Sequence, residues 1–546
     1  MVFGTKDRGP IPLEGTMSDI TVSKQTESLL HEVGKLNEHT KQHDVDIIEV
    51  SKTVSFFAIA YERLRNVIEF KDDYIIRRNA INRIIRRRLA FNPSLTNEAL
   101  SIAKEIVWAG YLPTNKLPES KVDKLESIIR WYIALRDEII KGEPEDKRNY
   151  YADFIHDLLV CQIEELFAEH DFAFDKLFVF YMYQVLNPTV TIEGLSEEDK
   201  NFYFYIATEQ VLLKSDEPYL RFHLMRLLFE DLLKSPPSDF SHHVDKLRHA
   251  FHLIDTKIKY PINRKVRKYL LNQRPPYLVL KDFFSQPIHQ VRELIADEAK
   301  FKSTIESICR EKYESAKAKL RRAGVRSIIY IFFTKMIFVF LAEYPLLVRL
   351  NEPIDPLILG INALFPPIFM MLLVTTVDVP DEENTERIFS RLRTFMYGVG
   401  TEKVNFKVQV KLNQSIFRRM LFWIFYLVTF GATFLLIDNV LDIINFTWLS
   451  KIVFFFFLTA VAFFGYRVRQ IAKEYIVNHK ETILSPIVDF FMVPLITVGK
   501  WLSNEISKIN ILIFIFDFLI EAPFKILFDV IEEWIGFLRN RKEEIV

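Results

Sequence analysis

Glycine is scarce in this 546-residue chain: there are 15, and only Gly110, Gly142 and Gly194 lie between Gly34 and Gly324. Sites that cradle phosphates or dinucleotides need glycine where backbone meets ligand. Neither G-x-G-x-x-G nor G-x-x-x-x-G-K-[ST] occurs, and Gly398-Val399-Gly400 lacks the third glycine. Cysteine is scarcer still. Cys161 and Cys309 stand far apart, which excludes a disulfide framework and a cysteine zinc site. Net charge is lacking too, since 71 basic residues balance 71 acidic ones. Nucleic-acid binders are as a rule strongly basic, so no nucleic-acid partner is expected. No apolar leader segment occupies residues 1–25, where Gly4, Gly9, Pro10, Pro12 and Gly15 predict a disordered start. With no nucleophile constellation, neither an enzyme nor a cofactor is expected.

What is present is helix-forming and apolar, with 49 phenylalanines. Residues 26–325 read as an all-α bundle. Ile47, Val50, Val54, Phe57, Tyr61, Leu64 and Ile68 keep a 3-4 spacing, which predicts one long helix, packed in the bundle or in a coiled coil. Breaks are expected at Asn92-Pro93, at Pro113 to Pro118, at Asn187-Pro188 with a short strand over 189–192, at Ser235-Pro236-Pro237-Ser238, and at Arg274-Pro275-Pro276. A last helix should run from Pro287 to Arg326.

Residues 326–470 then hold four expected spans, 327–347, 357–377, 420–437 and 446–466. Each approaches the ~20 residues that cross a bilayer core. Basic residues set the direction. Lys317, Lys319, Arg321, Arg322 and Arg326 precede the first span. Eight more, including Arg387, Lys403 and Arg419, occupy the loop 378–419, and Arg467, Arg469 and Lys473 follow the fourth span. The loop 438–450 has none. This alternation predicts an N-terminal helical-bundle domain and a 378–419 loop on the cytoplasmic side, with both termini inside. Few cysteines and no targeting peptide suit a bacterial plasma membrane. In the loop, Val404, Phe406, Val408, Val410 and Leu412 alternate with polar residues, a strand pattern that calls for a partner such as residues 189–192 or another subunit.

The segment 471–546 is apolar in a different way. Asp517, Glu521, Lys525, Asp529 and Glu533 recur every four residues, and Asp489, Lys500, Asn504 and Lys508 mark a similar stripe. Amphipathic helices in the membrane interface are expected there, the alternative being a fifth and sixth span with their polar stripes facing each other.

Three constellations are candidates for chemistry. Lys335 and Glu343 in the first span, about 80° apart on an ideal helix, and Asn362 ahead of Pro366-Pro367 in the second are intramembrane polar groups. His242, Asp245, His249 and His252 share a helical face, with spacing that suits a transition metal or a pH response; His156, Glu164, Glu165, Glu169 and His170 form a weaker set. Arg77, Arg78, Arg83, Arg86, Arg87 and Arg88, and separately Arg264, Lys265, Arg267 and Lys268, make basic amphipathic helices suited either to anionic lipid or to pairing with acidic neighbours within the domain.

The leading expectation is a non-enzymatic, multi-pass membrane anchor or scaffold, with the bilayer and a cytoplasmic protein or a second copy as partners. The alternatives are a small-solute or ion pathway through Lys335 and Glu343, and a metal or pH sensor built on His242–His252.

Overall fold

The structure, a computed structural model, describes residues 22–39, 47–49, 73–108, 110, 116–377, 379–398, 406–409, 416–477 and 485–508, together with Val530 and Trp534. The described chain is overwhelmingly helical, with four short strands. Its contacts divide it into two compact units, one built on Ser23–Leu270 with Lys403–Val408, the other on Leu271–Glu402 and Gln409–Phe514. The division falls at 270/271, and the expected boundary at 325/326 lies inside a continuous helix, Glu298–Phe338.

The first unit contains α1 (Lys24–His39), β1 (Ile47–Glu49), α2 (Asp73–Phe91), α3 (Ala99–Trp108), β2 (Lys116–Pro118), α4 (Glu119–Ile139), α5 (Glu145–Phe167) and α6 (Glu169–Leu186). It continues with β3 (Val190–Glu193), α7 (Glu197–Leu212), α8 (Glu217–Leu228), α9 (Glu230–Leu233), α10 (Phe240–Lys259) and the start of α11 (Ile262–Phe284). Side-chain caps start several of these helices. Ser196 accepts from the Asp199 N–H at 3.1 Å and Asp216 from the Tyr219 N–H at 3.4 Å, taking up donors that a helix start leaves orphaned. The core lies where α4, α5, α8 and α10 meet, with Phe154 stacked on Phe251 at 4.2 Å and Trp131 edge-on to Phe240.

The helix expected to start at Ile47 does not begin there. Ile47, Ile48 and Glu49 form β1, antiparallel to β2 with Ile47 opposite Pro118; β-branched residues suit an extended pleat, and Val50 to Ile68 lie outside the described residues. The strand expected in the 378–419 loop is present as β4 (Phe406–Gln409), and it pairs with β3, one of the two partners expected for it.

The second unit contains the rest of α11, then α12 (Ile288–Ala296), α13 (Glu298–Phe338), a π-turn (Val339–Glu343), α14 (Tyr344–Arg349), α15 (Pro356–Thr375), α16 (Glu382–Tyr397), α17 (Ile416–Ile443), α18 (Trp448–Lys473) and α19 (Ser485–Lys508). The break expected at Pro275-Pro276 is absent, because α11 runs straight through it. Pro276 has no N–H for the Asn272 carbonyl, and Arg391 donates to that oxygen instead, at 3.1 Å. Burial of Tyr277, Val279, Leu280, Phe283 and Phe284 offsets the helical cost of the prolines, at ~1.5–3 kcal/mol for each large apolar side chain.

Among the described residues, four helices are long and apolar enough to cross a membrane: Glu298–Arg349, Pro356–Thr375, Ile416–Ile443 and Trp448–Lys473. The first, second and fourth pack together, while α17 leaves most of its apolar surface exposed. Asp297, Asp355 and Thr447 cap the starts of α13, α15 and α18. α19 packs on α18. Asp489, Lys500 and Asn504 are exposed, while Leu495 and Met492 face the apolar core. The stripe at 517–533 lies outside the described residues.

Candidate functional site

Lys335, Glu343 and Asn362 come together among the apolar helices, and Ser450 joins them. The Lys335 Nζ lies 3.4 Å from the Glu343 Oε2, and both side chains are 0% exposed. The Asn362 Nδ2 donates to the Glu343 Oε1 at 2.6 Å and to the Ser450 carbonyl at 3.3 Å. The Ser450 hydroxyl donates to the same Glu343 oxygen at 3.2 Å. The ammonium also sits 4.4 Å from the centre of the Phe457 ring and 5.8 Å from that of Phe338, within cation–π range. Three helices that are separate in sequence thus contribute one hydrogen-bonded knot.

The π-turn makes the geometry possible. Eight residues of regular α-helix would leave Lys335 and Glu343 about 80° apart. A π-turn closes i→i+5 and so absorbs about one extra residue. The effective separation becomes about seven residues, or two turns, and the two side chains share a face. The sequence carried a signal for this in Pro345, which cannot donate to the Leu341 carbonyl and disturbs the turn before it. Ser450 gave no such signal, since it reads as one small residue near a helix start beside the more conspicuous Lys451. Lys451 itself pairs with Asp438 at 2.8 Å and Asp442 at 2.7 Å, at the end of α17.

Burying an ion pair among apolar side chains is costly unless hydrogen bonds complete it. Here Glu343 has three partners. One group stays open: the Asn362 Oδ1 is buried and, among the described residues, lacks a hydrogen-bond partner. Pro366 also removes the helical N–H that the Asn362 carbonyl would otherwise receive.

The histidine face does not converge. His242, Asp245, His249 and His252 are exposed, and among the described residues no three His, Cys, Asp or Glu side chains gather to hold a metal. His252 stacks flat on Tyr150 at 5.0 Å, and its Nε2 lies 3.2 Å from the Tyr151 hydroxyl. The weaker set is dispersed as well. Glu164 is held by Arg77, and Glu165 by Lys176 and Arg226; burial pushes the Glu165 carboxyl up, but the two cations bring it below its usual range. Burial, with Arg86 and Arg136 nearby, lowers His156 to about 3, and its Nε2 meets the Asn82 Oδ1 at 2.6 Å. Burial also holds the Cys161 thiol well above its ordinary value.

The basic helix α2 turns its charge into protein. Arg77 pairs with Glu164, Arg78 with Asp216, Arg86 with Asp153, Arg87 with Glu105, and Arg88 with Glu98 and Glu105. Arg83 has an interaction of its own. A carboxylate on a neighbouring helix is a fixed counter-charge, so these pairs tie α2 to the helices around it. Arg264, Lys265, Arg267 and Lys268 differ in that all four are exposed on α11, around buried Val266.

Comparison with protein-family models, with curated proteins and with solved structures finds no match to this chain.

Proposed function

We propose that this chain is a non-enzymatic, multi-pass membrane anchor in a bacterial plasma membrane, presenting its N-terminal helical unit to the cytoplasm as a platform for a protein partner. The alternation of basic loops supports that orientation. The observation that carries the reading is the closed Lys335–Glu343–Asn362–Ser450 knot, in which polar groups of three apolar helices bond to one another with no exposed charge. Among apolar helices, such bonds hold a bundle together. A solute route needs polar groups lining a passage, and these four side chains face each other. The test is reconstitution. Proteoliposomes holding the chain should show no proton or cation flux above empty vesicles, and a cysteine placed at 445 should react with an external thiol reagent while one placed at 380 should not. Flux abolished by Glu343→Gln would overturn the anchor reading.

A second reading keeps one supporting observation. The buried, unpartnered Asn362 Oδ1 beside Glu343 is an acceptor-rich point of the kind that binds a proton or a small cation. In that case flux, and its loss in Glu343→Gln, would be the result obtained.

A further inference from the structure

We propose that α13 and α15 form a binding site for an anionic diacyl phospholipid, with an acyl groove between the helices and an arginine rim at its lower mouth. The groove is lined only by apolar side chains, among them Ile328, Ile329, Phe332 and Phe333 of α13 and Pro367 and Met371 of α15. Ile329, Phe333 and Met371 are each more than half exposed, so the groove is open along its length.

Its lower end is fixed by packing. A Cβ on Gly324 would lie 2.7 Å from Val374, so the C-terminal end of α15 rests against α13 at Gly324. Immediately there, α13 changes character. Lys317, Lys319, Arg321, Arg322 and Arg326 are all exposed. Among the described residues, none of the five takes part in an ion pair or a side-chain hydrogen bond. Glu311 and Glu314 lie further down the helix and neutralise none of them. The arginines of α2, in contrast, are paired with carboxylates.

The register supplies the complementarity. At ~100° per residue, Lys319, Arg322 and Arg326 fall on the face of Ile329, Phe333 and Ile337, within about 80°. Arg326 and Arg322 stand ~3 and ~9 Å below Ile328 along the axis, at 1.5 Å per residue. A lipid whose chains follow the groove would therefore carry its phosphate to guanidiniums that bond phosphate in a fork. An unpaired basic cluster continuous with an apolar groove fits a ligand that is itself an anion joined to hydrocarbon, which is why the occupant is a phospholipid and not a second copy of the chain or a soluble phosphate.

This inference rests on the membrane placement proposed above. The full chain, purified in an uncharged detergent, would be titrated with phosphatidylglycerol, phosphatidylcholine or glycerol 3-phosphate, and read by melting temperature and by lipid adducts in native mass spectrometry. Phosphatidylglycerol should bind at least tenfold more tightly than phosphatidylcholine, and glycerol 3-phosphate should neither bind nor compete. Arg322→Gln/Arg326→Gln should lose that tenfold, and Arg322→Lys/Arg326→Lys should keep most of it, which controls for folding. Met371→Trp, which fills the groove and leaves the charges in place, should also weaken binding. Equal affinity for the two lipids, an unaffected glutamine variant, or competition by glycerol 3-phosphate would each overturn the site. So would a Met371→Trp variant that binds like the parent, since attraction would then be diffuse and the groove irrelevant. A chain that stays in the membrane fraction without preferring phosphatidylglycerol sinks the lipid site alone; one that purifies without detergent sinks the membrane placement.

Discussion

Gly499 of α19 lies against the backbone carbonyl of Thr459 in α18, so closely that a Cβ at position 499 would sit 2.0 Å from that oxygen. Only hydrogen fits there. Phe463 closes the same spot, with its Cβ 2.8 Å from that position. Such small-residue approaches let helix backbones pack tightly where apolar burial gives no preference for helix over lipid.

The contact predicts a steep response to a single methyl group. Gly499→Ala should destabilise by ~1–3 kcal/mol, the usual range for overpacking, and Gly499→Val by more, since a carbonyl in mid-helix cannot rotate aside. Thermal unfolding in detergent would read this. A valine variant that melts with the parent would show that α19 does not pack here.

Removing one partner of the Lys335–Glu343 pair should cost far more than removing both. Lys335→Met leaves a buried carboxylate, at ~3–5 kcal/mol. Lys335→Met combined with Glu343→Leu should recover most of that loss. A double-mutant cycle, followed by unfolding in a denaturing detergent, measures the coupling, and simple additivity of the single variants would contradict the knot.

Glu105 is buried on α3 and receives both Arg87 and Arg88. Glu105→Gln takes the shared carboxylate away from Arg87 and Arg88, which have little access to water, and leaves Arg88 with Glu98, so a loss of ~3 kcal/mol is expected, measured by denaturant unfolding. Glu230→Gln, where the pair with Lys234 is exposed, should leave stability close to the parent's.

His156 predicts a pH dependence. Its ordinary value is 6.5 and the folded value is lowered to about 3, chiefly by burial and then by Arg86 and Arg136. The unfolded chain therefore takes up the proton first as pH falls. The stability associated with the neutral ring is fully present above pH 6.5 and is lost progressively as pH drops toward about 3. In His156→Gln, which keeps a donor for the Asn82 Oδ1, the melting temperature should fall less between pH 7 and pH 5. Parallel slopes in the two proteins would refute the assignment.

Much of the helical fold was legible because its signals are local. Asn187-Pro188 marks a turn followed by β3, and four apolar stretches coincide with four apolar helices. What escaped was decided at a distance. Pro275-Pro276 reads as a break from its own neighbourhood, and only Arg391, more than a hundred residues on, supplies the missing donor. For the arginines of α2 the sequence allows acidic partners within the domain, but it does not say that they are Glu105, Glu164 and Asp216 until the helices pack. For the polar knot, Lys335, Glu343 and Asn362 stood out as ionisable or amide groups in apolar runs, while Ser450 and the π-turn could not be counted from side-chain periodicity.

The widened turn at Val339–Glu343 makes chain length between Lys335 and Glu343 a constrained quantity. Deleting one residue there would leave the two charges seven apart and still aligned on an ordinary helix. Inserting one would swing Glu343 by about 100° away from Lys335. The segment therefore tolerates shortening and resists lengthening, an asymmetry that composition alone would never reveal.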